Sequence, residues 1–180
     1  MPFPKIYLSH ETLKSLNDEK ERVTRKWTQQ FKLQPALVKA IIDKESMDYP
    51  LAYRVDRSVL KKQAWYRKTI TTAQKQLDEC WASYGYMQVL YGLARHYGYT
   101  GIPFGLFEPN LSIKYGCRHL DYLKKRYKGR ILDMIHAYNW GSNAWMDFDN
   151  DGIKDPGEPY KNQDYVDDVY KLFKEYGGKL

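Results

Sequence analysis

The 180-residue chain contains only two cysteines and four histidines, and neither set has a spacing typical of metal ligands. It also lacks a G-x-S-x-G motif and a glycine-rich nucleotide loop. These absences argue against a zinc site, a serine hydrolase and a nucleotide-binding enzyme. Cys80 and Cys117 either form a disulfide or remain buried thiols, and we favour thiols because nothing in the sequence places them within bonding distance.

Long apolar runs are also missing, so the sequence offers no membrane-spanning segment, and it shows no repeat or low-complexity tract. The residues that are present, 43% of them hydrophobic, suffice for one sizeable core but not for two. We therefore expect one compact domain and a monomer.

The chain is basic, with a formal net charge of +7 and a pI of about 9.2. Such a surface attracts anionic polymers. The basic residues, however, lie in scattered clusters such as Lys61-Lys62 and Arg67-Lys68, and no familiar nucleic-acid motif accompanies them. We therefore do not expect nucleic acid as a partner.

Apolar residues recur at spacings of three and four through most of the chain, which predicts a mainly α fold. The expected helices run from a Ser9 cap to about Phe31, from Pro35 to Ser46, from about Met87 to Tyr97, from an Asn110 cap to about Tyr127, from Ile131 to Tyr138, and from about Tyr165 to a stop at Gly177. Residues 58–77 read as an inserted basic helix, and a small irregular β element is expected near Tyr53.

Glu45 is an acidic residue on an apolar helix face. It follows Leu37 and Ile41 at intervals of four. Burial disfavours the charged form of a carboxyl group and raises its pKa, which is the property a general acid needs. The alternative is a helix-terminal glutamate that turns to water or pairs with Lys39 or Lys44.

Two later motifs combine glycine, aromatic and carboxamide residues. They are Gly85-Tyr86-Met87-Gln88 and Ala137-Tyr138-Asn139-Trp140-Gly141. Taken in order with Glu45-Ser46, they resemble the E-S, G-L-M-Q and A-Y-N-x-G motifs of the lytic transglycosylase (SLT) family, a lysozyme-like fold related to goose-type lysozymes. The resemblance extends through 107–127 to Tyr165-Val166 and so covers roughly residues 33–176. Tyr86 stands where the family usually has leucine.

The resemblance implies a mainly α, lysozyme-like single domain over residues 33–180, with residues 1–32 as a helical extension packed on it. It also implies a peptidoglycan-degrading enzyme that cleaves the β-1,4 bond between N-acetylmuramic acid and N-acetylglucosamine, with Glu45 as general acid and base. The substrate-binding residues it implies are Ser46, Tyr86, Met87, Gln88, Tyr138 and Asn139. Seventeen tyrosines suit a glycan cleft, with Tyr84, Tyr86 and Tyr138 as candidates.

Three activities remain open at this point. In a lytic transglycosylase the attacking group is the sugar's own C6 hydroxyl, whereas in a goose-type lysozyme it is water. A third alternative is a non-catalytic wall-binding or assembly module. Asp43, Asp48 and Asp56 are the nearby candidates for a second carboxylate, but none lies in a matching motif, which favours the single-acid transglycosylase route.

Residues 147–158 read D-F-D-N-D-G-I-K-D-P-G-E and match the calcium-loop pattern D-x-[DN]-x-[DN]-G-x5-E. The acidic side chains repel one another unless a cation neutralises them. We therefore expect a structural calcium site in this insertion, with a solvated acidic turn as the alternative. The expected ligands are Asp147, Asp149, Asp151, Ile153 through its carbonyl group, Asp155 and Glu158.

The first residues, M-P-F-P-K-I-Y-L-S-H, contain no apolar run of signal-peptide length. For a wall-cutting enzyme this suggests a bacteriophage product, carried in the virion or released from the host cytoplasm at lysis. A trimmed bacterial protein would look the same.

Overall fold

The structure, a computed structural model, describes residues 9–55, 78–141 and 158–180. Its α-helices are α1 (His10–Phe31), α2 (Pro35–Ser46), α3 (Tyr91–His96), α4 (Pro109–Arg126), α5 (Ile131–Trp140) and α6 (Gln163–Glu175). Short 3-10 helices cover Asp78–Trp81 and Pro103–Phe107. The prediction of a mainly α fold is confirmed. The inserted helix predicted over 58–77 lies outside the described residues.

The first two helices begin and end where the sequence predicts. The Ser9 hydroxyl caps α1 by accepting a hydrogen bond from the Thr12 amide at 3.1 Å. Pro35 occupies the first position of α2, where its missing amide hydrogen costs nothing. Both helices end at a residue with left-handed backbone geometry, Lys32 after α1 and Met47 after α2.

The helices enclose one hydrophobic core. α1 packs against α4, α2 packs against α6, and α5 lies between α4 and α6. Val23 and Trp27 of α1 belong to this core, whereas Leu13, nearer the start of the predicted apolar stripe, is exposed. Cys80 and Cys117 are both buried thiols, as expected.

The β element near Tyr53 is a three-stranded antiparallel sheet in the order β1 (Tyr53–Val55), β2 (Ala82–Tyr84) and β3 (Val89–Leu90). Tyr53 pairs with Tyr84 across the first two strands, and Tyr84 with Val89 across the second two. A tight turn over residues 85–88 joins β2 to β3, and β1 contains Arg54, whose guanidinium group approaches Glu45. The sheet therefore lies beside the end of α2.

Two predicted helix starts are wrong. The helix expected from about Met87 begins instead at Tyr91, because Gln88 takes a left-handed conformation and its side chain bonds to main-chain carbonyl groups of the turn. The cap of α4 is Glu108, whose carboxylate accepts hydrogen bonds from the amides of Asn110 and Leu111. The Asn110 side chain accepts a hydrogen bond from the Trp27 indole instead.

None of the helices in the described ranges combines the length and apolarity needed to cross a membrane. α1 contacts both α4 and α2, and its buried residues lie in its second half. The proposed division of the chain at residue 32 falls at the end of α1 and stays a prediction.

Candidate active site

Glu45 lies in the last turn of α2 with its side chain only 6% exposed. The Tyr165 hydroxyl, from α6, donates a hydrogen bond of 2.7 Å to Oε1 of Glu45. On the other side, Nη2 of Arg54 in β1 lies 3.9 Å from Oε2, and the Arg54 side chain is 60% exposed. Oε1 thus contacts Tyr165, and Oε2 lies on the side of Arg54, which together with the exposed Asn139 forms the rim of the candidate site.

Burial raises the pKa of the Glu45 carboxyl group above its ordinary value. Four neighbours oppose this shift by stabilising the carboxylate: Tyr165 through its hydrogen bond, Arg54 and Lys44 through their charges, and Asn139 through its side-chain amide. Desolvation is the largest effect, so the pKa remains raised. The group is therefore biased toward the protonated form, while donors and cations that stabilise the ion surround it.

The tight turn between β2 and β3 depends on the Gln88 carboxamide. Its Nε2 donates to the carbonyl oxygens of Ala52 and Gly85, and its Oε1 accepts from the Ser83 hydroxyl at 2.8 Å. Gln88 as a whole residue is 8% exposed. All three hydrogen bonds hold the turn and the residues next to it, so in this structure the Gln88 side chain stabilises the turn.

Gly85 and Ser112 lock this turn onto α4. Gly85 has a φ of +69°, and a Cβ atom there would lie 2.7 Å from the Leu106 carbonyl oxygen and from Oγ of Ser112. The Ser112 hydroxyl accepts from the Met87 amide and donates to the Tyr84 carbonyl. Only glycine fits at residue 85, because both its backbone conformation and its surroundings exclude a side chain.

Met87 and Tyr138 form the wall between the turn and the helices. Met87 is fully buried, and its side chain fills the space left by the missing side chain of Gly116 in α4. The Tyr138 hydroxyl donates to the Met87 carbonyl oxygen at 2.8 Å. Burial and the nearby charge of Glu45 raise the pKa of Tyr138 well above its ordinary value, so this hydroxyl stays a donor.

An aromatic cluster supports Tyr138 from behind. The His119 ring lies 5.5 Å from the Tyr138 ring, and its Nδ1 hydrogen-bonds with the Tyr97 hydroxyl at 3.0 Å. Burial lowers the pKa of His119 to about 4, with a further contribution from His96. His119 is therefore a neutral packing partner at ordinary pH.

The residues singled out by sequence fall into two groups. Glu45, Tyr138 and Asn139 meet in the structure, and of these Asn139 is exposed. The others are buried and turned to the protein: Ser46 donates to the Ile42 carbonyl of its own helix, and Tyr86 packs beneath α1 with Lys20 over its ring. Met87 and Gln88 lie in the turn described above, so only the first group reaches the rim.

The sequence patterns assign no role to Tyr165 and Arg54, whose side chains lie beside the Glu45 oxygens. The sequence does point to Tyr165, because Tyr165-Val166 is part of the family resemblance, but it does not identify Tyr165 as a site residue. No sequence pattern points to Arg54. It lies nine residues after Glu45 in a short strand, β1, and the folded position of that strand brings it to Glu45.

The candidate second carboxylates that the structure describes point elsewhere. Asp43 accepts a hydrogen bond from the Tyr176 hydroxyl, and Asp48 pairs with Lys20 of α1 at 2.5 Å. Both line a pocket of about 90 Å³ between α1 and α2. Asp56 lies outside the described residues. Within the described ranges, no other carboxylate is among the groups that shift the pKa of Glu45.

Most of the predicted calcium loop also lies outside the described residues, including Asp147, Asp149, Asp151, Ile153 and Asp155. Its last member, Glu158, is described and is buried. Across residues 9–55, 78–141 and 158–180, no group of three or more acidic, histidine or cysteine side chains is arranged to hold a metal. The loop assignment stays a prediction.

Comparison with known proteins gives one clear match. No curated protein sequence matches the chain. The family model described as the transglycosylase SLT domain matches residues 22–156, well over half of the chain, and the match spans Glu45, the turn at Gly85 and Tyr138. The helical architecture is consistent with the lysozyme-like fold of that family, and membership supports a peptidoglycan-cleaving function of the transglycosylase type. On this match, the chain belongs to the transglycosylase SLT domain family.

Proposed function

We propose that this protein is a lytic transglycosylase that cleaves the β-1,4 bond between N-acetylmuramic acid and N-acetylglucosamine in peptidoglycan, with Glu45 as its general acid and base. The observation that carries the proposal is the buried Glu45 carboxyl group, whose pKa is raised and whose Oε2 faces the exposed rim. Family membership supports the substrate class.

In the first step the acid protonates the glycosidic oxygen. Because the Tyr165 hydroxyl donates to Oε1, the acid proton belongs on Oε2, the oxygen toward the rim. Transfer of this proton to the bridging oxygen lets the glycosidic bond break, and positive charge develops on the muramic acid ring. The Glu45 carboxylate left behind is stabilised by Tyr165, Arg54 and the Asn139 amide.

In the second step the carboxylate acts as a base. It removes the proton from the C6 hydroxyl of the same muramic acid, whose oxygen bonds to C1 and closes a 1,6-anhydro ring. A lysozyme would direct water to C1 instead and commonly uses a second carboxylate. The orientation of Asp43 and Asp48 away from Glu45 supports the single-acid route.

Substrate binding is proposed along the exposed side of Glu45. The exposed Asn139 carboxamide suits an acetamido group, and the Arg54 guanidinium suits an anionic group of the peptide stem. Tyr138 and Met87 would form the wall against which the sugar packs. Ser46, Tyr86 and Gln88 would act from behind that wall, through the shape of the helix end and the turn.

We further propose that calcium binds in residues 147–158 and has a structural role. The sequence pattern supports this assignment, and the burial of Glu158 is consistent with a carboxylate that serves the protein interior. A bound ion would join the end of α5 to the start of α6. Glycosidic cleavage by a carboxyl group requires no chemistry from the metal.

The test is mass spectrometry of soluble products from purified peptidoglycan. Native protein should release anhydro-muropeptides, which are one water lighter than hydrolysis products, and Glu45→Gln should release none. Asp43→Asn is the matched control, because it removes a carboxylate from the same helix without touching Glu45, and it should retain activity. Reducing-end products would identify a lysozyme. No products from the native protein would favour a wall-binding module.

A further inference from the structure

Asn162 stands at the position that caps α6, yet its side chain makes no capping hydrogen bond. Asparagine is among the best capping residues, because its side-chain oxygen can accept from the first free amides of a helix. Here Oδ1 of Asn162 is buried and makes no regular hydrogen bond among the described residues, and it lies near the His136 imidazole, whose pKa the Asn162 side chain raises against the larger effect of burial. The side chain is therefore held in an orientation that does not serve the helix.

The amino group of Asn162 is instead directed at the active site. Its Nδ2 donates to Oδ1 of Asn139 at 2.9 Å and lies 3.5 Å from the His136 carbonyl oxygen. Asn139 is the carboxamide that stabilises the Glu45 carboxylate. Asn162 thus engages the oxygen of the same carboxamide that favours the charged form of Glu45.

Hydrogen-bond partners decide which way a carboxamide points, because its oxygen only accepts and its nitrogen only donates. With Oδ1 of Asn139 engaged by Asn162, Nδ2 of Asn139 is the atom left for Glu45. If the amide turned over, its oxygen would face the Glu45 carboxylate and its nitrogen would face the amino group of Asn162. Both contacts would then be repulsive.

We propose that Asn162 is a positioning residue of the active site, which fixes the Asn139 carboxamide with its amino group toward Glu45. The inference rests on the proposed role of Glu45 and adds to it a residue that acts through Asn139. It explains why a capping residue forgoes its cap. Such exchanges of local stability for orientation are expected at functional sites.

The other groups that face Glu45 do not depend on Asn162. Tyr165 and Tyr138 approach from α6 and α5, Arg54 from β1, and Lys44 from the same helix as Glu45. None of these contacts runs through the Asn162 side chain. Among the groups that act on Glu45, replacing Asn162 should therefore change only Asn139. Its other neighbour, His136, is not among the groups that shift the pKa of Glu45.

The decisive variant is Asn162→Ser, because serine caps helices well but is too short to reach Asn139. Its effect is measured by NMR titration of the Glu45 carboxyl carbon in protein labelled at glutamate side chains, with Glu45→Gln to assign the signal. Loss of the oriented donor should move the Glu45 titration to higher pH, because the carboxylate loses a hydrogen bond that favours it. The melting temperature should not fall, since the cap is restored.

Asn110→Ser is the matched control. Its side chain is also half-buried and accepts one hydrogen bond, from the Trp27 indole, but in the interface of α1 and α4. The Asn110→Ser variant should have a lower melting temperature and an unchanged Glu45 titration. An unchanged titration in Asn162→Ser, or the same shift in Asn110→Ser, would overturn the proposal.

Cleavage assays separate this inference from the proposed function. In an active enzyme, Asn162→Ser should lower kcat on the order of tenfold, because a misplaced group lowers the rate without abolishing chemistry. The alkaline limb of the pH profile of kcat for Asn162→Ser should move to higher pH, by the same amount as the Glu45 titration. A shifted titration in a protein that cleaves no peptidoglycan would uphold the positioning role and refute the function.

Discussion

The Tyr165 hydroxyl donates a 2.7 Å hydrogen bond to the Glu45 carboxyl group across 120 positions of sequence. It links the last helix, α6, to the helix that carries the candidate acid, and these two helices pack directly against each other. The contact occupies Oε1, so in the proposed mechanism Oε2 is the oxygen that meets the substrate. The final helix thus contributes to the candidate site as well as to the core.

Replacement of this hydroxyl should be visible in the pH dependence of activity. The Tyr165 hydrogen bond lowers the pKa of Glu45, so Tyr165→Phe should raise it further and move the alkaline limb of kcat/KM to higher pH. We expect kcat to fall about tenfold or more, because the carboxylate formed in the first step loses a donor. Tyr170→Phe, on the same helix, is the control. Identical pH profiles for Tyr165→Phe and native protein would contradict the assignment.

Glu45 should reduce the stability of the fold at neutral pH. Its pKa is raised in the folded state, so the folded protein prefers the protonated form, and stability is lost as pH rises through the folded pKa. Glu45→Gln should therefore unfold at a higher denaturant concentration than native protein at pH 7. The difference should vanish below the ordinary pKa of glutamate. A constant difference across pH would indicate another cause.

Two glycines with similar backbone geometry provide a test of the turn beside Glu45. Gly85 and Gly129 have φ values of +69° and +79°, but of the two only Gly85 has atoms within 4 Å of the position that a Cβ atom would occupy. Gly129→Ala should cost about 1 kcal/mol from backbone strain alone. Gly85→Ala should cost roughly 2–4 kcal/mol, since the clash with Leu106 and Ser112 adds to the strain. Urea unfolding measures both, and equal losses would argue against the close packing.

Calcium should stabilise the protein if residues 147–158 bind it. Calcium at a hundredfold excess over its dissociation constant would add about 2.7 kcal/mol to the free energy of unfolding. Melting temperatures in calcium and in chelator should therefore differ, with magnesium less effective. Asp151→Asn should reduce the difference. No change in melting temperature between calcium and chelator would remove the loop assignment.

The sequence predicts the helices well where one pattern decides them. α2 has the predicted bounds because a proline start and an apolar stripe agree. Glu45 is predicted from its position on that stripe, and the motif containing Tyr138 and Asn139 reaches it as expected. These features are local or depend on short motifs, so one sequence contains them.

The rest depends on contacts between distant residues. Gln88 has an apolar neighbourhood that favours helix, but its carboxamide bonds to carbonyl groups of Ala52 and Gly85 and holds the chain in a turn. Asn110 has the residue type of a cap, yet Trp27 engages its side chain. Arg54 reaches Glu45 only through strand pairing. Side chains with several possible partners are settled by tertiary structure, which periodicity does not describe.

The first half of α1 has a practical meaning for protein engineering. Leu16 and Lys20 precede residue 22, where the family match begins, but they contact the Tyr86 hydroxyl and ring, and Lys20 also pairs with Asp48 just after the helix of Glu45. A version shortened to begin at residue 22 would expose Tyr86 and would leave the Asp48 carboxylate without its partner Lys20. Fusion partners for wall-degrading reagents are therefore best joined ahead of Ser9, with α1 kept whole.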